Sequence, residues 1–163
     1  MGDVEEMNYV SLDFSKELDR TVLSHFNSCE MTATEDGMCV TVTSKSTNPN
    51  ATDPSFKIVY QGALEPIMTE GYNAVEIIYC VPTENSAHAK TMEIFIGTGS
   101  VMDAQGGYST KASLTCDGEY HTLRIPVSQL DFWKGQLNMI RFDFFDAALE
   151  GDCMYIGSIS LVE

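Results

Sequence analysis

Residues 137–162 read LNMIRFDFFDAALEGDCMYIGSISLV and contain two segments in which apolar and polar side chains alternate. In the first segment, residues 137–145, three apolar side chains fall on one face: Ile140, Phe142 and Phe144. Arg141 and Asp143 fall on the other face. Alternation with a period of two is typical of a β-strand that is buried on one side.

The second segment, residues 153–162, follows the turn residues Gly151-Asp152 and alternates in the same way. One face is predicted to carry Tyr155, Gly157, Ile159 and Leu161, opposite Ser158 and Ser160. A chain that ends on such a strand is predicted to be a β-sandwich, an architecture that more often binds a ligand than transforms it.

The rest of the chain contains short apolar runs separated by turn residues, and about ten strands are predicted in total. Glu35-Asp36-Gly37 is expected to join two of them in a hairpin, because Asp-Gly supplies the positive φ that a tight turn requires. No segment keeps a 3.6-residue period over three turns, so little helix is expected. Regularly spaced short strands indicate a sandwich or barrel. The predicted fold class is therefore all-β, in a single domain that spans residues 1–163.

The formal net charge of the chain is −15. Such a charge repels the phosphates of nucleic acids and anionic lipids, so neither is an expected partner. No apolar run is long enough to insert into a membrane. The acidic start lacks the basic region of a signal peptide, and Met1-Gly2 indicates an added start. We therefore expect a module excised from a larger, secreted or cell-surface bacterial protein.

The five cysteines are an odd number without any CxxC pair, which argues against a zinc site. Cys39 and Cys80 lie in apolar strand patterns, where a thiol behaves as a small hydrophobic group. Buried thiols are therefore expected, and one disulfide among the five is the alternative.

Several segments, in their order along the chain, resemble a family of carbohydrate-binding modules with a galactose-binding-domain-like jelly-roll fold. They are Leu12-Asp13-Phe14, EDGMCVTV (35–42), DPSF (53–56), residues 73–79 and 92–96, DGEYHTL (117–123), FWKG (132–135), IRFD (140–143) and YIGSI (155–159). Such modules often carry a Trp where this chain has His25-Phe26. The resemblance implies a two-sheet antiparallel jelly-roll β-sandwich that binds a polysaccharide or glycan beside a linked catalytic domain.

Sugar binding requires flat rings that stack on pyranoses and planar polar groups that hydrogen-bond vicinal hydroxyls. The candidate rings are Trp133, Tyr108, Tyr72 and Phe95. Trp133 lies in a connection, which favours an exposed ring; the alternative is a Trp that plugs the end of the sandwich.

Four charged side chains on outward strand faces are the candidate hydrogen-bonding groups: Glu76, Glu93, Arg141 and Asp143. If their strands are neighbours, the four form one patch beside Phe95. The alternative is a solvated face of salt bridges with little energetic value.

The resemblance also implies one structural Ca²⁺ where the first and last strands meet. Acidic residues near these ends are the candidate ligands, namely Asp13, Asp146 and Asp152. Ca²⁺ needs six to eight oxygen ligands, and the sequence contains no EF-hand spacing.

The predicted function is that of a monomeric, non-catalytic carbohydrate-binding module that holds a linked enzyme or surface protein on its polysaccharide or glycan. The alternative is a protein-interaction or adhesion sandwich of a bacterial surface assembly. A hydrolase has little support, because paired carboxylates occur in any acidic sandwich and no nucleophile elbow is present.

Overall fold

The computed structural model describes residues 7–43, 54–85, 91–145 and 148–163. They form eleven β-strands, a one-turn helix (α1, Glu17–Arg20) and three short 3₁₀ turns. The strands are β1 (Ser11–Asp13), β2 (Leu23–Asn27), β3 (Cys29–Thr34), β4 (Gly37–Val42), β5 (Ser55–Val59), β6 (Ala74–Cys80), β7 (Thr91–Thr98), β8 (Ser109–Ser113), β9 (Tyr120–Pro126), β10 (Leu137–Phe144) and β11 (Cys153–Val162). The prediction of an all-β chain is confirmed. In the part of the chain that the structure describes, no helix has the length and apolar character to cross a membrane.

The strands are arranged in two antiparallel sheets. The six-stranded sheet has the order β3-β4-β11-β6-β9, and β1 also pairs with β11. The five-stranded sheet has the order β2-β5-β10-β7-β8. β3 and β4 form the predicted hairpin, with Thr34 opposite Gly37. The predicted two-sheet antiparallel sandwich is therefore confirmed.

The core lies between the sheets and is built from alternate residues of each strand. On β10, the side chains of Ile140, Phe142 and Phe144 are fully buried. Phe56 of β5 stacks on Phe142, with ring centroids 5.2 Å apart. Because these residues point inward, Arg141 between them must point away from the core.

β11 departs from the predicted alternation at Gly157. Its register against β6 shifts between Ile156 and Ser158, which inserts one extra residue as a β-bulge. Ile156 and Ile159 are therefore both buried, whereas Tyr155 lies on the outer face. The prediction that Tyr155 shares a face with Ile159 is wrong for this reason.

None of the five cysteines forms a disulfide. Cys80 is buried as predicted, and so is Cys29, but the prediction is wrong for Cys39, which like Cys116 and Cys153 is only partly buried. Cys39 and Cys153 lie on the outer face of the six-stranded sheet, opposite Tyr155 and Thr41 respectively.

Candidate functional site

The outer face of the five-stranded sheet carries two rows of mostly polar side chains that run across the strands. Facing residues in an antiparallel ladder are neighbours on the same face, so the register determines each row. The first row is Asn27, Ser55, Asp143, Glu93 and Lys111. The second row is Ser24, Lys57, Arg141, Phe95 and Ser109. Each row crosses five strands, a length of about 19 Å at the usual strand spacing. We call these two rows the charged face.

Arg141 lies at the centre of the charged face and is held by two neighbours. Its Nε and Nη2 atoms donate to the carboxylate oxygens of Asp143 at 2.7 and 2.9 Å. Its guanidinium carbon lies 4.5 Å from the ring centroid of Phe95, which is a cation–π contact. The side chains of Arg141 and Asp143 are 28% and 11% exposed. A planar donor group and a flat ring are therefore stacked in one largely shielded place.

A cavity of about 190 Å³ lies beside Arg141 and Phe95. Glu93 and Lys111 face each other across β7 and β8 and both line it. Glu93 Oε2 accepts a hydrogen bond of 2.6 Å from Ser109 Oγ. Carboxylates, an ammonium group, a guanidinium and an aromatic ring thus surround one small space. Such a set can hydrogen-bond sugar hydroxyls and contact the apolar face of a sugar ring.

The loop 99–107 covers the sheet beyond the second row. Met139 points outward by register, yet it is only 2% exposed. A Cβ at Gly97 would lie 2.8 Å from the Val101 carbonyl oxygen, so the loop packs directly against the strand. Asn138 Nδ2 donates to the same carbonyl at 2.8 Å. The charged face therefore ends at this loop.

An ion pair ties the loop to the second row of the charged face. Lys57 Nζ lies 2.7 Å from Asp103 Oδ1. The hydrogen bond from Lys57, followed by that from the Ala104 backbone N–H, lowers the pKa of Asp103. The Asp103 side chain is 66% exposed, so water screens this pair and its contribution to stability is small.

Positive and negative charges are matched on the charged face. The chain has nine Lys and Arg residues, and three of them, Lys57, Lys111 and Arg141, lie in the two rows. Each has a carboxylate as its ion-pair or cross-strand partner. The face is thus locally balanced in a chain with a net charge of −15.

Trp133 is 7% exposed and does not present a stacking platform. Its Nε1 atom donates to the carbonyl oxygens of Thr69 and Tyr72, both at 3.0 Å. An indole is buried at low cost when its N–H finds an acceptor, and here it finds two. Trp133 therefore plugs the sandwich, and the expectation of an exposed ring is wrong.

Tyr72 and Tyr108 line two other cavities. Tyr72 borders a cavity of about 590 Å³ near Met68. Tyr108 borders a cavity of about 550 Å³ and meets the Phe132 ring edge-on, with centroids 5.6 Å apart. The structure therefore does not bring the predicted rings together. We take the smaller cavity, on the charged face, as the candidate site, because its polar side chains lie on strands and are held by neighbouring side chains. The polar side chains that line the Tyr108 cavity are exposed: Gln129, Asp131 and Lys134.

Glu76 lies on the opposite sheet from the other three predicted charges. Strand β6 pairs with β11 and β9, not with β7 or β10. The Glu76 carboxylate instead accepts from Arg124 Nη1 at 3.0 Å. The predicted patch therefore contains Glu93, Arg141 and Asp143 beside Phe95, without Glu76.

Two of the candidate calcium ligands are far apart. Asp13 faces Ser158 in the β1–β11 pair, whereas Asp152 immediately precedes β11, six residues before Ser158. With one of these residues taken up by the bulge at Gly157, the other five still span about 17 Å, so the two carboxylates cannot ligate the same ion. Asp146 lies outside the described residues. Among the described residues, no group of three or more His, Cys, Asp or Glu side chains is placed to hold a metal ion. Calcium binding stays a prediction.

Sequence reasoning missed Lys57 and Lys111, which belong to the charged face. A signal for Lys57 was present, because a single charge between Phe56 and Ile58 must point outward from a buried strand. Nothing in the sequence indicated that Lys57 would meet Asp103, since 46 residues separate them.

No protein-family model and no curated protein matches this chain. Solved structures do match it. A carbohydrate-binding module specific for non-crystalline cellulose, CBM28, has a TM-score of 0.58 and 9% identity, over 97% of this chain and 96% of that one. A xylan-binding module, CBM15, has a TM-score of 0.57 and 13% identity, over 92% of both chains.

A low-affinity xylan-binding module from the gut symbiont Roseburia intestinalis, CBM86, has a TM-score of 0.53 and 12% identity, over 91% of this chain and 90% of that one. At such identities the likeness is one of fold. Over nearly its whole length, this chain has the jelly-roll sandwich fold of carbohydrate-binding modules.

Proposed function

We propose that this protein is a non-catalytic carbohydrate-binding module whose charged face holds a polysaccharide or glycan. The observation that carries the proposal is the Arg141 guanidinium, fixed by Asp143 and stacked on Phe95 beside a cavity. Sugar hydroxyls both donate and accept hydrogen bonds, so neighbouring cations and carboxylates match them. The aromatic ring supplies apolar contact to a pyranose.

The balance of charge favours a neutral polysaccharide. The cations of the two rows are each accompanied by a carboxylate, so the face offers no net attraction to a chain of uronic acids. The structural neighbours named for cellulose and xylan are consistent with this class of ligand.

Binding is expected to be weak. The cavity of about 190 Å³ is smaller than the roughly 300–1,000 Å³ of small-molecule pockets. A single stacked ring adds about 0.5–1.5 kcal/mol, and a Kd of 1 mM already needs about 4 kcal/mol. We therefore expect a Kd in the millimolar range. Weak binding suffices when the module is linked to a catalytic domain, because tethering raises the effective concentration.

The Arg141–Asp143 pair also favours binding over catalysis. Glycoside hydrolysis requires one protonated carboxyl as the general acid. Asp143 accepts two hydrogen bonds from the Arg141 guanidinium, so both of its carboxylate oxygens are already engaged as acceptors. A linked catalytic domain, secretion or display on a bacterial surface, and a monomeric state belong to the same proposal. The gene surrounding this chain and light scattering in solution test these points.

A structural Ca²⁺ is also proposed, held at Asp13 or at Asp152 but not by both. Because a bound ion stabilises the folded state, EDTA should lower the melting temperature and added Ca²⁺ should restore it. A melting temperature that responds to neither would remove calcium from the proposal.

The proposed function is tested by titrating isotope-labelled protein with cello-, xylo- and acidic oligosaccharides and following backbone and Arg Nε–H signals by NMR. Neutral oligosaccharides should shift the backbone signals of Phe95 and Lys111 and the Nε–H signal of Arg141. Phe95→Ala should weaken binding by about two- to twelvefold, the equivalent of one stacking contact. Tyr108→Ala is the matched control and should leave binding unchanged.

The alternatives give different results. NMR shifts confined to Tyr108 and the residues that line its cavity would place the binding site there and overturn the role of the charged face. No binding to any polysaccharide, with capture of a defined surface protein, would support an adhesion sandwich. Release of sugar by the chain alone would overturn the non-catalytic assignment.

A further inference from the structure

The second row of the charged face is accessible along its whole length. All five of its residues are partly exposed: Ser24, Lys57, Arg141, Phe95 and Ser109. In the first row, by contrast, Ser55 and Asp143 are buried. On the other side of the second row, the loop 99–107 packs against the sheet. A polysaccharide chain that crosses all five strands must therefore follow the second row.

The cavity on the charged face extends sideways from this path. It is lined by Arg141 and Phe95 of the second row and continues past the first row to Thr91. Thr91 and Phe95 lie four residues apart on β7, which is about 13 Å along the strand. The rows run across the strands, whereas this distance runs along one of them. The cavity is therefore directed at a steep angle to a chain that lies in the second row.

The far end of the cavity is closed by Phe145, which directly follows β10, lines the cavity and is buried. Its ring meets the ring of Phe144 edge-on, with centroids 5.1 Å apart, and Phe144 belongs to the core. The wall is therefore anchored. Towards β5, the buried side chains of Asp143 and Ser55 end the accessible surface. A chain that entered the cavity could not continue past these residues.

The volume of the cavity also limits what can enter it. About 190 Å³ corresponds to roughly six water molecules at about 30 Å³ each. This volume suits one sugar ring rather than two linked rings. A closed cavity of this size, beside an open row, has the shape needed for a short substituent of a longer chain.

Three polar side chains that line the cavity have unused hydrogen-bonding capacity. The Lys111 ammonium group and the Thr91 hydroxyl form no hydrogen bond or ion pair with the part of the chain that the structure describes. Glu93 accepts from Ser109 at Oε2, which leaves Oε1 without a donor among the described residues. An ammonium group donates, a carboxylate accepts and a hydroxyl does both, so the three match the hydroxyls of a sugar.

The charges that line the cavity cancel. The carboxylates of Glu93 and Asp143 are accompanied by the cations of Lys111 and Arg141. Such a lining exerts no net attraction on a uronic acid or on an amino sugar. A neutral sugar is therefore the suitable occupant.

We propose that this cavity holds a single neutral sugar that branches from the main chain of the ligand, so that the preferred ligand is a branched neutral polysaccharide. The main chain follows the second row over Phe95. The branch enters the cavity towards Phe145, and Thr91, Glu93 and Lys111 hydrogen-bond its hydroxyls. This inference rests on the proposed polysaccharide binding and adds the class of polysaccharide to it.

Matched pairs of oligosaccharides test the inference on the full chain. Each pair is a linear glucan, xylan or mannan oligosaccharide and the same backbone carrying single xylosyl, arabinosyl or galactosyl branches, respectively. For a backbone that the protein binds, NMR titration should give a Kd about tenfold lower for the branched member, the equivalent of about two additional hydrogen bonds. The backbone signal of Thr91 should shift with the branched member alone, whereas that of Phe95 should shift with both.

Two tryptophan variants separate the cavity from its surroundings. Thr91→Trp fills the cavity and should raise the Kd of the branched ligand to that of the linear one, without changing the latter. Ser113→Trp is the matched control, because Ser113 faces Thr91 from β8, is exposed and lies outside the cavity. It should keep the tenfold preference.

A third variant covers the case in which Thr91→Trp does not fold. Lys111 is exposed, so Lys111→Met removes its ammonium group with little effect on the core. The preference for the branched ligand should fall about threefold, while binding of the linear ligand stays within twofold of wild type. Melting curves establish that each variant is folded.

The outcomes distinguish this inference from the proposed function. Binding of neither member of any pair would overturn the proposed function, and the inference with it. Equal affinity for the two members of every bound pair would overturn the inference alone. So would a branched-ligand preference that survives in a folded Thr91→Trp protein, or tighter binding of a branch of uronic acid than of its neutral counterpart.

Discussion

On the five-stranded sheet, Arg141 and Asp143 form an ion pair whose side chains are 28% and 11% exposed. On the six-stranded sheet, Arg124 and Glu76 form a pair whose side chains are 50% and 32% exposed. Both pairs lie on outward strand faces and both join an Arg to a carboxylate. The first is shielded because Phe95 lies against the guanidinium and the pair lines a cavity, whereas the second is open to water. The neighbours of an ion pair, rather than its residue types, thus decide how far the pair is shielded from water.

The largest expected effect comes from removing Arg141, compared with removing Arg124 as a control. Arg141→Ala removes two hydrogen bonds from a carboxylate that is 11% exposed. It should cost about 1–3 kcal/mol of unfolding free energy and weaken polysaccharide binding at least tenfold. Arg124→Ala, the matched control, should cost at most about 1 kcal/mol and leave binding unchanged. Urea unfolding and affinity electrophoresis measure both.

Equal losses in the two variants would mean that the two faces do not differ. Arg141→Lys, which keeps the charge but not the planar fork, tests binding if Arg141→Ala does not fold.

A second change tests whether the loop 99–107, at which the charged face ends, packs against the sheet. Gly97→Ala places a Cβ 2.8 Å from the Val101 carbonyl oxygen and 3.1 Å from Met139, so the loop must shift. We expect a loss of about 1–3 kcal/mol in thermal or urea unfolding. Gly106→Ala lies in the same loop with nothing within 4 Å of the new Cβ, and should change stability by less than about 0.5 kcal/mol. Similar stabilities of the two variants would show that the loop is not packed on the sheet.

A third change tests whether Trp133 contributes to stability but not to binding. Trp133→Phe removes an N–H that donates to two carbonyls. It should lower the unfolding free energy by about 1–2 kcal/mol while leaving the Kd for oligosaccharides unchanged. A folded Trp133→Phe protein that no longer binds would contradict the assignment of binding to the charged face.

The smallest expected effect concerns pH and the Lys57–Asp103 pair. Lys57 lowers the pKa of Asp103 in the folded state below its ordinary value of 3.8. The stabilisation is therefore fully present above the ordinary value and is lost as the pH falls through the lowered one. Because Asp103 is exposed, Asp103→Asn should cost less than about 1 kcal/mol at pH 7, and this difference should vanish towards pH 2. Urea unfolding between pH 2 and 7 measures it, and a difference that grows on acidification would contradict the sign.

The strand pattern allowed much of the fold to be predicted, because inward and outward positions follow from alternation within each strand. The faces of Phe142 and Arg141 on β10 were predicted correctly for this reason. The face of Tyr155 was not, because a β-bulge at Gly157 reverses the alternation and its cause lies in the pairing with β6. A local pattern carries no information about such a partner strand.

The candidate site was predictable only in part. Arg141 and Asp143 are two residues apart on one strand, so their proximity follows from the sequence. Glu76 is absent from the candidate site because β6 lies in the other sheet, which the sequence does not reveal. The burial of Trp133 depends on two carbonyl groups that are about sixty residues away in the chain. Lys57 joined the site because β5 pairs with β10.

The sequence by itself determined most of the strands, the inward side of β10 and the presence of charge on its outward side, because side-chain direction alternates with a period of two in any strand. The tertiary structure decided which strands became neighbours, which outward charges met, and which ring was buried. Strand order and loop packing depend on contacts between residues far apart in the chain, and only the folded molecule brings those residues together.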